Sequence, residues 1–104
     1  MVKEINGHEL EELVESGKTV VCDFWASWCG PCRMLGPVIE TLSEEFAEKA
    51  TFVKVNVDEN GDLAASLNIF SIPDVYIFAN GEVKTHNLGY VPEDQMREFF
   101  SENL

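Results

Sequence analysis

Two cysteines three residues apart, Cys29 and Cys32, carry the most reactive chemistry in this sequence. They close the run from Val20 to Arg33, which reads V-V-C-D-F-W-A-S-W-C-G-P-C-R. Before them the residues are strand formers. After them Leu35, Val38, Ile39, Leu42 and Phe46 recur at helical spacing. The pair therefore sits where a strand hands over to a helix, with Cys29 at the helix N-terminus. Unpaired backbone N–H groups and the positive end of the helix dipole favour an anion there, and the thiolate is the nucleophilic form of cysteine. Such a pair can be a redox-active dithiol, a permanent bridge or half of a zinc site. Zinc needs four ligands, and only Cys22, His8 and His86 remain, with no second paired motif at finger spacing. Reversible thiol chemistry is the better reading.

Asp23 is the next candidate. A carboxylate among Val, Cys, Phe and Trp is poorly solvated, which raises its pKa and suits it to take or relay the proton of Cys32. The competing reading is an acid that simply reaches solvent at a strand end. Cys22, on the neighbouring position of the same strand, reads as a buried inert thiol. His8 and His86 have no partner pattern around them and read as surface residues.

The chain has 104 residues, 45% of them hydrophobic, enough for one core and one domain spanning residues 1–104. No apolar run reaches the length of a membrane-spanning helix, and the N-terminus lacks the apolar segment of a signal peptide. A cytoplasmic location is expected. A formal net charge of -12, from 7 basic and 19 acidic residues, argues against nucleic acid and anionic membranes as partners. Three cysteines are too few, and odd in number, for a structural disulfide framework.

The elements that must position the cysteines follow from pattern. Val2 to Ile5 reads as a first strand. Asn6, with Glu9 three residues on, is a capping-box start for a helix burying Leu10, Leu13 and Val14 and ended by Gly17. Lys18 to Trp25 is apolar enough to be covered on both faces, with Val20, Cys22 and Phe24 on one side and Val21, Asp23 and Trp25 on the other. The helix from the cysteines to about Lys49 contains Pro37, which removes a backbone bond and bends it. Thr51 to Val57 is a third strand, followed by an Asp58 N-cap and a short helix containing Leu63 and Leu67. After the linker Phe70-Ser71-Ile72-Pro73-Asp74, two strands flank Asn80-Gly81, a strong hairpin signal. Pro92 opens a last helix burying Met96, Phe99 and Phe100. Trp25 and the phenylalanines read as core. The expected fold is α/β, a mixed sheet with helices on both faces in the order βαβαβαββα.

With the W-C-G-P-C motif and the downstream Ser71-Ile72-Pro73 both in view, the chain resembles the thioredoxin family across essentially its whole length. The D-F-W-A-S-W-C-G-P-C-R strand, the K-V-N-V-D segment at residues 54 to 58, the Ile72-Pro73 pair, the N-G-E hairpin and Gly89 carry the resemblance. It implies the thioredoxin fold, a central mixed β-sheet flanked by four helices, and a disulfide reductase. Cys29 would attack a substrate disulfide, and Cys32 would resolve the mixed disulfide, leaving a Cys29-Cys32 bridge. By resemblance Asp23 takes the proton-relay role and Lys54 is the lysine beside it, although a lysine in an alternating strand also reads as surface. The resemblance further implies a cis Ile72-Pro73 bond, with Trp28, Gly30, Pro31, Ile72, Pro73 and Gly89 forming the substrate contact surface around Cys29. Ile72 would pair by its backbone with an extended substrate chain. No bound cofactor or metal is expected, because electrons pass between sulfurs. The implied partners are disulfide-containing proteins and a thioredoxin reductase, an NADPH-dependent flavoprotein, acting on a monomer.

Within redox chemistry, Gly30-Pro31 between the cysteines resembles the reducing members rather than oxidases or isomerases. From a different class, the competing reading is a redox-independent binding subunit or scaffold for a larger enzyme, against which Cys29, Cys32 and Asp23 argue. Two positions depart from the family pattern. Asp74 stands where threonine is common, and its charge is expected to oppose a Cys29 thiolate or bias partner choice. Tyr90 stands where a small residue is common, and is expected to reshape the contact surface.

Overall fold

A computed structural model describes residues 1–104. Five strands and four helices alternate along the chain: β1 (Lys3–Glu4), α1 (Gly7–Glu15), β2 (Val20–Trp25), α2 (Gly30–Glu45), β3 (Thr51–Asn56), α3 (Gly61–Ser66), β4 (Asp74–Ala79), β5 (Glu82–Leu88) and α4 (Glu93–Asn103). The sheet order is β1-β3-β2-β4-β5. β1 and β2 run parallel to β3 on either side of it, and β4 and β5 are antiparallel to their neighbours. The dithiol strand β2 is thus central, and both of its faces are covered.

Strand alternation sorts the core into two layers. Val21, Phe52, Val75 and Ile77 meet Leu35, Ile39 and Leu42 of α2 and Met96 and Phe100 of α4. Val20, Cys22, Phe24, Val53, Val55, Tyr76 and Phe78 meet Leu10 of α1 and residues of α3 on the other side. Phe100 is fully buried, with its ring edge-on to Phe46 at 5.7 Å and to Phe52 at 5.4 Å. Truncation there removes about 3 to 5 kcal/mol, so Phe100→Ala is expected to lower the urea midpoint without changing the transition slope. Arg97 clamps the same helix from outside, its Nε 2.9 Å from Glu45 Oε2 on α2.

Local signals account for most boundaries. Asn6 Oδ1 accepts from the Glu9 backbone N–H at 2.8 Å, and Glu9 Oε1 accepts from the Asn6 N–H at 3.0 Å, which completes the capping box. Asn80 and Gly81 have φ of 57° and 86°, the positive pair that a two-residue hairpin turn requires. α2 is one helix that runs through Pro37.

Several expectations need correcting. The expected N-cap of α3, Asp58, lies in the turn before it, because its carboxylate is drawn to the Trp28 indole instead. Asn60 precedes the helix, but its side chain accepts from the Gly7 N–H at 2.8 Å and caps nothing in α3. Leu67 follows the helix rather than lying within it. Phe70 is not core: it is 87% exposed, because Ile69 packs toward the α1/α3 layer and Ile72 toward the cysteines, turning the intervening loop outward. His86 is at the surface as expected, but it is not without a partner, as shown below.

Candidate active site

Cys29 is the N-cap residue of α2, extended at φ -87° and ψ 110°. β2 delivers the chain to this point. Gly30 and Pro31 then open the helix, where the missing proline N–H leaves nothing unpaired. The Cys32 backbone N–H donates to Cys29 Sγ at 3.1 Å. A helix N-terminus with a donor aimed at sulfur stabilises the thiolate. Cys29 and Cys32 are joined as a disulfide, each residue only 4% exposed. Cys29 Sγ also lies 3.8 Å from the Ile72 carbonyl oxygen, across a cis Ile72-Pro73 bond. Gly89, at φ +95°, donates its N–H to the Pro73 carbonyl at 2.7 Å and so ties the end of β5 to this loop. A residue with a side chain is strained at that φ, which explains the glycine.

Trp28 stands beside the pair with 67% of its surface exposed, held by the Nε1 donation to Asp58 Oδ2 at 2.8 Å. The partner is thirty residues away in sequence, so nothing local signals it. Trp25, the last residue of β2, packs against the cluster of Ala26, Cys29 and Cys32.

Asp23 lies on the α2/α4 side of β2, 3% exposed, and its Oδ1 makes no hydrogen bond within the protein. Burial pushes its pKa up to about 7, against a smaller downward pull from Lys54. Lys54 sits opposite Asp23 in the β2/β3 register, with its ammonium over the Trp25 ring at 5.1 Å from the centroid. Asp23, Lys54, Glu40, Gly36 and Pro37 share a cavity of 190 Å³. That volume and polar lining suit water. Cys22, on the opposite face, is a free buried thiol whose pKa is raised by burial and secondarily by the Asp23 charge, as its inert reading requires.

Asp74 is the first residue of β4, and alternation places it with Tyr76 on the α1/α3 side, the reverse of the face that carries Asp23. Its carboxylate lies 2.9 Å from His86 Nδ1, and the His86 ring stacks on Tyr76 with centroids 4.6 Å apart. Burial raises the Asp74 pKa while the hydrogen bond and charge of His86 lower it. The charge expected to face Cys29 is therefore engaged by His86. His8 does lie on the surface, paired with Glu12 at 3.0 Å.

No helix is long and apolar enough to cross a membrane, and no cluster of three or more His, Cys, Asp or Glu residues is arranged to hold a metal ion.

Comparison with known proteins agrees with this geometry. The family model described as Thioredoxin matches residues 1–102. The thioredoxin of Mycoplasma genitalium is 42% identical, covering 97% of this chain and 99% of its own. That of Listeria monocytogenes is 44% identical over 94% of each. Among solved structures, Plasmodium falciparum thioredoxin superposes with a TM-score of 0.91 at 29% identity, covering 99% of this chain and all of its own.

Proposed function

The chain belongs to the thioredoxin family and is a thiol-disulfide oxidoreductase of the protein-disulfide reductase type; from that premise we propose how its residues divide the work. The observation that carries the reading is the donation of the Cys32 N–H to Cys29 Sγ at the helix N-terminus.

Cys29 is the attacking thiolate. It displaces one sulfur of a substrate disulfide, forming a mixed disulfide and releasing one substrate thiolate, which takes up a proton. Cys32 then gives its proton to Asp23 and attacks Cys29 Sγ. The second substrate sulfur leaves as a thiolate and takes up a proton, and two electrons have moved from the chain's dithiol to the substrate. Lys54, opposite Asp23, keeps the carboxyl from being held neutral still more strongly, as its downward pull on that group indicates.

The substrate is a protein segment that lies across Trp28, Gly30, Pro31, Ile72 and Gly89; Pro73, expected in this surface, is buried and shapes the loop beneath it. What supports this is the distribution of exposed apolar residues. Of the seven large ones, Trp28, Met34, Phe70, Leu88 and Tyr90 lie within two residues of a cysteine, Ile72 or Gly89, leaving only Met1 and Val83 elsewhere. On a chain of net charge -12 such clustering marks a contact site. An extended chain can pair with the Ile72 backbone by strand addition.

The dithiol is restored by a thioredoxin reductase, an NADPH-dependent flavoprotein, and the chain works as a cytoplasmic monomer of one domain. The test is catalysis of insulin disulfide reduction at the expense of a small dithiol. Marked acceleration by micromolar protein is expected, and a rate equal to that of the dithiol alone defeats the reading.

A further inference from the structure

Asp74 is one of three buried polar residues in the chain, with Asp23 and Ser43, and the redox chemistry described above makes no use of it. A buried carboxylate beside Pro73 is costly unless it is paired, so its partner is informative. That partner, His86, reaches it through an irregularity in the β4/β5 hairpin. Near the turn Phe78 pairs with Val83, but beyond a register shift at Ile77/Phe78 the pairs become Ile77 with Thr85 and Tyr76 with His86. An unshifted ladder would set Thr85 opposite Tyr76 and put His86 on the other face. The bulge brings the imidazole onto the Asp74 and Tyr76 side.

The contacts then run on without a break. His86 meets Asp74 at 2.9 Å and stacks on Tyr76, and Tyr76 Oη donates to the Leu67 carbonyl at 3.3 Å. Leu67 and Asp74 bound the 68–73 segment, whose Ile72 carbonyl lies 3.8 Å from Cys29 Sγ. One chain of side chains thus fixes both ends of the loop that faces the dithiol.

We propose that Asp74, His86 and Tyr76 are positioning residues that hold the Ile72-Pro73 loop at the height a protein chain needs when it adds to the Ile72 backbone. This rests on the reading of Ile72 as the substrate seat. None of the three residues touches the reacting sulfurs. Their effect is confined to substrates that use the loop, and a small aromatic disulfide attacked directly by Cys29 does not depend on them. Asp74 in this role is a device for seating substrate, with its carboxylate hydrogen-bonded to His86.

The experiment compares insulin with 5,5'-dithiobis(2-nitrobenzoate), at fixed pH, for the wild type and three variants. His86→Phe keeps a ring against Tyr76 but removes the hydrogen bond. The double variant Asp74→Thr with His86→Thr removes acid and partner together, so no unpaired charge is left buried if the single variant folds poorly. Asp74→Asn retains an oxygen that can accept from His86 Nδ1–H. For the first two, KM for insulin is expected to rise about 5- to 10-fold with kcat within about twofold, and the small-disulfide rate is expected to hold, because misplacing a binding element costs orientation rather than chemistry. Asp74→Asn is expected to stay within about twofold of wild type on both substrates. Parallel loss on both substrates, or an unchanged insulin KM in the folded double variant, overturns the proposal. A wild type that reduces neither substrate overturns the assigned reaction itself, which separates the two failures.

Discussion

Cys29→Ser is expected to abolish protein-disulfide reduction, while Cys32→Ser is expected to stop turnover after a single step and leave substrate covalently attached. The asymmetry follows from position. Cys29 caps α2 and receives the Cys32 backbone N–H at 3.1 Å, so it is the sulfur whose negative charge the fold stabilises. Cys32 lies within the first turn of α2, has no such donor aimed at it, and is placed to attack the sulfur it already contacts. A serine at position 29 has no accessible anion at neutral pH, and the loss should be at least about 10³-fold, the scale on which removing a nucleophile acts in other enzymes. In Cys32→Ser the first exchange still occurs, since Cys29 and its environment are intact. The mixed disulfide then persists because nothing adjacent can resolve it. Intact-mass measurement under non-reducing conditions reads this directly, as one added substrate chain on Cys32→Ser and none on Cys29→Ser. The reverse pattern would exchange the two roles. Adducts on neither variant would remove the covalent mechanism.

The cysteine assignment was legible because its signals are local. The strand-to-helix change of period, the Asn6/Glu9 box and the Asn80-Gly81 turn each lie within a few residues, and each appears in the structure where the pattern put it. The face of Asp23 followed from alternation alone. What stayed hidden depended on distant partners. Asp58 reads as a helix cap until Trp28, thirty residues earlier, is seen to claim its carboxylate. His86 reads as unpartnered because a regular two-residue hairpin would point it away from Asp74, and no residue type in β5 announces the bulge that turns it round. Phe70 resembles any core phenylalanine in composition, and only the path of its loop leaves it in solvent. Local rules therefore located the cysteine pair at the start of α2, whereas the groups around it depended on register and loop path.

Asp23→Asn is expected to make the protein more stable and the enzyme slower, and the two effects should share one pH window. Burial holds the Asp23 proton up to about pH 7, against 3.8 for an unperturbed aspartate. The carboxyl is therefore neutral in the folded chain over a range where it is ionised in the unfolded one. Folding takes up a proton between those values, so the stability this group supports is fully present below pH 3.8 and is lost as pH rises toward 7. At 1.36 kcal/mol for each pH unit, the folded state has lost roughly 4 kcal/mol by pH 8. Asparagine cannot ionise and escapes that loss. The urea-derived stabilities of the two proteins should therefore nearly coincide at pH 4, diverge through pH 5 and 6, and differ most, in favour of the variant, at pH 8. A constant offset across that range would mean that shape rather than charge is responsible. In the mechanism proposed above the same carboxylate accepts the Cys32 proton, so its removal should slow resolution of the mixed disulfide at pH 7 on the order of 10- to 100-fold, toward the lower end of what a positioned base contributes. The residual rate should then climb toward the ordinary thiol range near pH 8.5, where Cys32 ionises without help. A variant that gains the stability and keeps the wild-type rate would show that Asp23 is a buried charge without a part in proton transfer. Loss of rate together with gain of stability would show that the strain of an ionised carboxyl inside β2 is retained because the second sulfur needs somewhere to send its proton.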